Sequence, residues 1–418
     1  MAGNLRAAVL SASQKKLEII DEARKKKGWK KTSIAWCQAA HTTEATLKRF
    51  WRSIPIRQDS FINICQAVGL NNWKEIADAL PQIEAHTDWG EAPDVTAFYG
   101  RAGELTTLKK WVVDENCRLI GILGMGGIGK TAVSVKLAKE VQDNFDYIIW
   151  RCLHQAPPLN ELLTDLLEFF SYQPTTELTG DASELISRLI ECLRRYRCLL
   201  VLDNLEAILS SGDFVGHYQA GYKVYGELLK RIGETPHQSC LVLTSREKLR
   251  EVALLEGETL PVRSYQLAGL GEEAREIFKE KSLSQEDKWA TLVNIYRGNP
   301  FMLKIVSAFI KEVFDGKVSE FLKIGTTQVT RDISDFIEVH FERLSKLEMQ
   351  IVYQLSVEKE PVALSELQES LSGVSSIELT NALASLVGRS LIEKSSGRFT
   401  LQPVVMEYVT SLELKYCE

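Results

Sequence analysis

The 418-residue sequence predicts an α/β domain built on a parallel sheet, flanked by an all-α N-terminal domain, a helical domain and a C-terminal winged helix. Three observations predict this class of fold. Between residues 118 and 269, short apolar runs alternate with segments of helical spacing, as in a parallel sheet covered on both faces. A glycine-rich segment follows the first run. Beyond residue 269 the pattern is helical, with a hairpin before a last helix.

Composition excludes several classes of protein. Apolar residues make up 45% of the chain and charged residues 25%, which excludes a disordered chain or a fibre. No apolar run approaches the roughly 18–20 residues that span a bilayer, and no signal peptide is evident. The eight cysteines form no C-x-x-C pair and the six histidines lack metal spacing, which argues against a zinc enzyme. We expect a cytoplasmic protein with reduced cysteines and no membrane partner.

The first predicted domain, residues 1–88, is basic and helical. Residues 1–80 contain 14 Lys and Arg against 7 Asp and Glu, although the whole chain has a net charge of −6. Helices predicted at Ser33–Ala40 and Thr43–Trp51, joined by a turn at residues 41–42, resemble the helix-turn-helix of phage repressors. The charge and this pattern indicate a separate interaction module.

This N-terminal module has two competing interpretations. If it binds DNA, Thr43–Trp51 is expected in a groove, with Lys48, Arg49 and Arg52 at the phosphates. A small helical bundle also suits recruitment of a partner protein by helix packing, and lysine runs are commonly solvated helix faces. The sequence leaves both interpretations open, and a purely structural role is the third alternative.

The remaining chain divides into three further domains. A looser stretch at residues 81–93 predicts a linker into the α/β domain, which is assigned to residues 89–262. Residues 263–330 are predicted to form the helical domain and residues 331–418 the winged helix. Strands are predicted at the following runs: 118–123, 147–153, 198–203, 240–245, a weaker 264–267, and the hairpin 391–394 with 398–401. A last helix is expected from Pro403.

The strongest chemical signal is Gly124–Thr131, which fits the pattern G-x-x-x-x-G-K-[ST] between a predicted strand and a predicted helix. Glycines let the backbone wrap phosphate oxygens, and the N–H groups at the helix start point toward an anion. Lys130 is expected at the β- and γ-phosphates, facing solvent when no ligand is bound, and the Thr131 hydroxyl is expected at Mg²⁺. The sequence therefore predicts an ATP- or ADP-binding site with Mg²⁺.

Two further strand ends supply polar groups to this site. Asp203 ends the run 198–203 and is predicted to hold Mg²⁺, because ligands collect at the carboxyl ends of parallel strands. Arg246 follows the next run and is expected to sense the γ-phosphate. Asn204 follows Asp203, and an amide cannot take a proton from an attacking water. The predicted catalytic residues are therefore Lys130, Asp203 and Arg246. Any ATP hydrolysis by this site is expected to be slow.

These motifs occur in an order and spacing by which residues 95–418 resemble the NB-ARC branch of the STAND NTPases. This branch consists of nucleotide switches that include plant resistance proteins. Phe98–Arg101 resembles the segment that contacts adenine in the family. Gly298–Pro300 resembles its G-x-P motif, whose proline packs on the base. The nucleotide-binding residues that the resemblance implies are Phe98, Tyr99, Arg101, Gly126, Gly127, Ile128, Gly129, Lys130, Thr131, Ala132, Pro300 and Gln402.

Gln402 stands where the family has the histidine of a Met-His-Asp motif. In the family, that histidine binds the β-phosphate of ADP and locks the off state. An amide can hydrogen-bond a phosphate but cannot carry a positive charge. The resemblance therefore implies a lock that is weaker here or built differently.

Function is expected to follow the family. The resemblance implies a signalling switch that oligomerises when ATP replaces ADP, engages an unidentified effector protein and serves bacterial signalling or defence. More narrowly, the chain resembles cyanobacterial NB-ARC proteins, many of which continue into WD-type repeats. The alternative is a transcription regulator that binds DNA through the helix-turn-helix under nucleotide control. A plain ATPase enzyme is disfavoured by Asn204.

Overall fold

The structure is a computed structural model that describes residues 9–10, 12–53, 56–77, 86–170, 180–324 and 329–416. The chain forms two compact units, Met1–Glu84 and Ala85–Glu418. Residues 81–85 of the predicted linker lie outside the described residues. Each unit has its own hydrophobic core, and each is described by itself.

The smaller unit is a helical bundle around buried aromatic side chains. Its elements are the antiparallel strands β1 (Val9–Leu10) and β2 (Ile56–Arg57) and the helices α1 (Gln14–Lys26), α2 (Ile34–Ala39), α3 (Glu44–Trp51), α4 (Gln58–Ala67) and α5 (Trp73–Ile76). The Ser33 and Thr43 side chains cap α2 and α3 by accepting backbone N–H bonds. Trp36 and Phe61 are fully buried. Helices α2 and α3 lie within one residue of their predicted bounds.

The larger unit is organised around a six-stranded sheet whose paired strands all run parallel. Its strands are β3 (His86–Asp88), β4 (Leu119–Leu123), β5 (Tyr147–Cys152), β6 (Cys198–Asp203), β7 (Cys240–Ser245) and β8 (Val262–Gln266). Their spatial order is β3-β5-β6-β7-β4-β8. This order places β6, β7 and β4 side by side, so the segments that follow them meet at one edge.

The sheet corrects one prediction. The linker assignment is wrong for His86–Asp88, which form the edge strand β3 and pair with Tyr147–Ile149 of β5. These three residues are polar and not buried, so no apolar run in the sequence predicts this strand. The strand forms through backbone pairing. The five other strands are confirmed near their predicted bounds.

Helices cover both faces of the sheet. They are α6 (Ala102–Lys109), α7 (Lys130–Val141), α8 (Leu159–Phe170), α9 (Ala182–Arg195), α10 (Val224–Glu234) and α11 (Arg250–Leu255). Leu200 and Leu243 pack on one face with α8, α9 and α10. Val201 and Val242, their neighbours in sequence, pack on the other face with α6 and α7. Burial on both faces explains why these strands are continuous apolar runs.

The C-terminal part of this unit is a helical domain followed by a winged helix. The helical domain contains α12 (Arg275–Glu280), α13 (Trp289–Ile295), α14 (Pro300–Val313) and α15 (Val318–Lys323). The winged helix contains α16 (Arg331–Phe341), α17 (Lys346–Glu358), β9 (Val362–Ala363), α18 (Leu364–Ser370), α19 (Ser376–Gly388), β10 (Ile392–Ser395), β11 (Arg398–Leu401) and α20 (Pro403–Tyr416). The predicted hairpin is β10 with β11, and β9 adds a third strand. A single core joins the two domains.

Within the described ranges, no helix is both long and apolar enough to cross a membrane.

Trp36→Ala tests the core of the smaller unit. Trp36 is fully buried and its indole N–H donates to the Ile64 carbonyl at 3.4 Å. The substitution is expected to lower the free energy of unfolding by about 3–5 kcal/mol, because it leaves a cavity. Urea unfolding of the full chain measures this. Ile34→Ala is the control, because Ile34 is 76% exposed in the same helix. Equal losses in the two variants would contradict the assignment of this core.

Candidate nucleotide-binding site

The phosphate loop connects β4 to α7 at the edge where three strand ends meet. Gly127 and Gly129 have φ values of 70° and 103°, in the left-handed region that favours glycine. A Cβ on Gly127 would also lie 2.6 Å from the Cβ of Phe301. The loop therefore approaches α14 too closely for a larger residue at this position.

A cavity of about 390 Å³ lies beside the loop. Its volume is in the range of small-molecule sites. The predicted nucleotide-binding residues that line it are Phe98, Tyr99, Arg101, Gly126, Gly127, Ile128, Gly129, Lys130, Thr131, Ala132 and Pro300. Other lining residues include Asn204, Glu206, Arg246 and Lys304. The fold thus brings together segments from the α/β domain and the helical domain around one space.

Lys130 is buried rather than solvent-facing, which corrects one expectation. Its ammonium donates to the carbonyls of Gly124 at 2.8 Å and Met125 at 3.1 Å, and the residue is 7% exposed. Burial lowers the pKa of Lys130 to about 8, although the Glu206 carboxylate nearby raises it. The surroundings of Lys130 therefore neutralise its positive charge only in part. This favours binding of an anion at the loop.

Thr131 and Asp203 form the candidate Mg²⁺ site. The Thr131 hydroxyl donates to both Asp203 carboxylate oxygens at 3.0 Å, and the Thr244 hydroxyl also donates to this carboxylate. Burial raises the pKa of Asp203 above its usual value, because a charged carboxylate is poorly solvated there. Hydroxyl and carboxylate oxygens fit the hard ligand preference of Mg²⁺. A bound Mg²⁺ would neutralise phosphate charge.

Glu206 and Arg246 form an ion pair at the cavity wall. Arg246 Nε lies 3.0 Å from Glu206 Oε1, and the Arg246 backbone N–H donates to Oε2 at 3.2 Å. Asn204 takes a left-handed conformation with φ of 60°, and its amide donates to the Cys152 sulfur at 3.4 Å. The cavity therefore contains a carboxylate from Glu206, although the residue after Asp203 is an amide.

A histidine from the winged helix reaches the phosphate loop. His340 of α16 accepts the Gly126 N–H at its Nε2 (3.2 Å), and its Nδ1 donates to the Phe336 carbonyl (2.9 Å). Burial, together with the positive charge of Arg246, lowers the pKa of His340 to about 3. His340 is therefore a neutral acceptor that holds one loop N–H.

Sequence reasoning missed His340, although a signal was present. Ile333, Ile337 and His340 follow helical spacing, and all three are buried. A polar side chain in the apolar stripe of a helix needs a buried partner. The spacing therefore marks His340 as a contact residue, but it does not identify the phosphate loop as its partner.

Gln402 lies outside the lining of the nucleotide cavity. Its amide donates to the Ser390 carbonyl at 3.1 Å. Arg101 lines the cavity, and its guanidinium donates to the carbonyls of Ala268 (2.7 Å) and Ile128 (3.0 Å). These hydrogen bonds stabilise the phosphate loop. In this arrangement the histidine at the phosphate loop is His340, whereas Gln402 lines a second cavity, of about 290 Å³, together with Met125 and Ile128 of the loop.

A buried ion cluster, formed by Glu247, Arg343, Glu348 and Arg389, joins the α/β domain to the winged helix. Glu247 Oε1 is 2.8 Å from Arg343 Nε and 2.5 Å from Arg389 Nη1. Arg389 Nε lies 3.1 Å from Glu348 Oε1. Glu247 directly follows Arg246, so consecutive residues contact the nucleotide cavity and the winged helix.

The possible DNA-binding residues lie on the smaller unit. Lys48 and Arg49 are exposed on α3, and Arg52 is exposed just after it. Lys48 forms an ion pair with Glu44 at 2.8 Å, between two side chains that are more than half exposed. Such a pair contributes little to stability, so it does not prevent Lys48 from meeting a phosphate.

The site defines a class of protein. A glycine-rich loop between a parallel strand and a helix, with a buried lysine and a threonine–aspartate pair at adjacent strand ends, is the arrangement of P-loop NTPases. In agreement, a Walker-type ATPase of Pyrococcus abyssi matches with a TM-score of 0.50 at 13% identity, over 77% of this chain and 99% of that one. At this identity the match supports the fold alone.

Sequence comparisons narrow the class. Residues 101–208 match the NB-ARC domain family. An uncharacterized WD repeat-containing protein of Nostoc is 44% identical over 97% of this chain, and the chain spans 36% of that relative's length. The disease resistance protein RPS5 of Arabidopsis thaliana is 23% identical over 31% of this chain and 15% of its own length. The chain therefore carries an NB-ARC domain within its α/β domain.

Proton uptake on nucleotide binding tests the environment of Lys130. Between about pH 8 and the ordinary lysine value of 10.5, the lysine of the free protein is deprotonated. Phosphate charge raises its pKa, so binding in this window is expected to take up a proton, whereas binding below about pH 8 is not. Calorimetry of ADP binding in buffers of different ionisation enthalpy measures the uptake.

Lys130→Met is expected to abolish this uptake and to weaken ADP binding roughly 10- to 100-fold, through loss of charge-assisted hydrogen bonds. Lys136→Met, on the same helix, is the control and should retain both properties. Uptake that persists in Lys130→Met would assign the proton to another group.

Proposed function

We propose that this protein is a nucleotide-operated signalling switch that is closed with ADP and opens to oligomerise when ATP replaces it. The observation that carries this proposal is the hydrogen bond between the Gly126 N–H and His340. It links the phosphate loop directly to the winged helix. The proposed setting is bacterial signal transduction or defence, which rests on the resemblance to NB-ARC switches.

The position of His340 supports competition between the winged helix and the nucleotide. His340 lies close to Arg246 and Lys130, the two cations expected to meet the γ-phosphate. Its Nε2 presents a lone pair to the loop, and a phosphate oxygen would compete for the same N–H. A third phosphate therefore favours a winged helix that has moved away from Gly126.

The buried ion cluster supports the same coupling by a second route. Arg246 faces the cavity, whereas Glu247 holds two arginines of the winged helix. A nucleotide that redirects Arg246 also disturbs the backbone that positions Glu247. A ligand shifts a conformational equilibrium only through its different affinities for the two states. A shift from about 1:99 to 99:1 requires roughly 5.5 kcal/mol, which several such contacts together can supply.

The first test of the switch is the native mass of the purified protein with its bound nucleotide identified. The closed state is expected as a monomer with one ADP, and a non-hydrolysable ATP analogue with Mg²⁺ should assemble it into an oligomer. Assembly in the absence of nucleotide, or a monomer under every nucleotide condition, would contradict this mechanism for the full chain.

Glu247→Gln tests the ion cluster. Removing one partner of a buried ion pair costs about 3–5 kcal/mol, and here the cost falls on the closed arrangement. The variant is therefore expected to release ADP at least about tenfold faster than the wild type, measured by chase of a fluorescent ADP analogue. Glu366→Gln is the control, since its ion pair with Arg398, within the winged helix, is about half exposed. Unchanged ADP release in Glu247→Gln would rule out the cluster as a restraint.

A second candidate function is nucleotide-regulated DNA binding by the smaller unit. The exposed positions of Lys48, Arg49 and Arg52 favour it. Charge reversal at these three residues is expected to abolish duplex binding and its salt dependence, as measured by fluorescence anisotropy at several salt concentrations. Reversal at Lys109, Lys110 and Lys136 of the larger unit is the control. Duplex binding that survives reversal at the three N-terminal positions would exclude this candidate.

A further inference from the structure

The end of β6 places a second carboxylate near the phosphate loop. The chain leaves Asp203, adopts a left-handed conformation at Asn204 and enters a single 3₁₀ turn at Leu205–Ile208. This path carries the Asn204 amide toward Cys152 and turns Glu206 back to the cavity wall. The residue directly after Asp203 is an amide, Asn204. Glu206, three positions after Asp203, supplies a carboxylate instead.

Glu206 faces the space that the phosphates would occupy. It is only 7% exposed and lines the cavity together with Lys130 and Arg246. The Glu206 carboxylate raises the pKa of Lys130, against the lowering caused by burial. Asp203 is less suited to act on water, because both of its oxygens accept hydroxyl hydrogen bonds and it is 1% exposed.

We propose that Glu206 is the catalytic base of slow ATP hydrolysis, an inference that rests on the proposed binding of ATP in this cavity. Glu206 accepts a proton from the attacking water as the water oxygen forms a bond to the γ-phosphorus. The bond from that phosphorus to the β,γ-bridging oxygen breaks, and its electron pair stays on ADP. Glu206 then returns the proton to the phosphate product or to solvent.

The ion pair with Arg246 explains why this hydrolysis is slow. Both oxygens of the Glu206 carboxylate are occupied, because Arg246 Nε lies 3.0 Å from Oε1 and the Arg246 backbone N–H donates to Oε2 at 3.2 Å. Arg246 must turn toward the γ-phosphate before Glu206 is free to bind water. The same arginine therefore senses the nucleotide and releases the base.

Glu206→Gln in the full chain tests this assignment. General base catalysis contributes roughly 10²- to 10⁴-fold, so single-turnover hydrolysis of ATP is expected to fall by that factor. Affinities for ATP and ADP, measured separately by equilibrium binding, should change less than about threefold. Glu206→Asp, which keeps the carboxylate, should retain an intermediate rate, and Glu168→Gln, an exposed carboxylate on α8, should match the wild type.

Each outcome decides a different point. Unchanged hydrolysis in Glu206→Gln, with wild-type binding, would overturn the assignment. Loss of nucleotide binding in both Glu206→Gln and Glu206→Asp would also overturn it, because Glu206 would then be a binding residue. Failure of the wild type to bind ATP would instead refute the proposed function, and the binding measurement detects that case before hydrolysis is followed.

Discussion

The convergence of three strand ends at one edge of the sheet is the constraint on which the site depends. Strands β6, β7 and β4 are neighbours, although the chain visits them in a different order. Their carboxyl ends bring the phosphate loop, Asp203 and Arg246 together from more than a hundred residues of sequence. Parallel strands place their ends at the same edge, so the ligand groups follow from the strand order.

The two residues that directly follow β7 make contacts with different parts of the protein. Arg246 pairs with Glu206 at the cavity, whereas Glu247 is buried with Arg343 and Arg389 of the winged helix. Because Arg246 and Glu247 share one peptide bond, a displacement of the backbone at either residue also displaces the other. In the proposed switch, this peptide bond connects the nucleotide cavity with the packing of the winged helix.

Sequence predicts local features of this protein better than contacts between distant segments. The buried strands and the phosphate loop were predictable because apolar runs and the motif Gly124–Thr131 are local patterns. The edge strand β3 was not, because its polar residues are fixed by backbone pairing with β5. The site shows the same limit. The motif identified Lys130. The contact between His340 and Gly126, which are 214 residues apart, depends on how the domains pack. The family resemblance pointed to Gln402 instead of His340.

The neutral state of His340 makes its hydrogen bond with the phosphate loop insensitive to ordinary changes of pH. A histidine with its usual pKa gains charge between pH 5 and 8 and commonly serves as a proton sensor. The pKa of His340 is about 3, so its ring keeps one tautomer throughout the physiological range. A cell that acidifies modestly would leave this contact intact. In the proposed switch, this contact would therefore respond to the charge of a bound phosphate and not to such changes of pH.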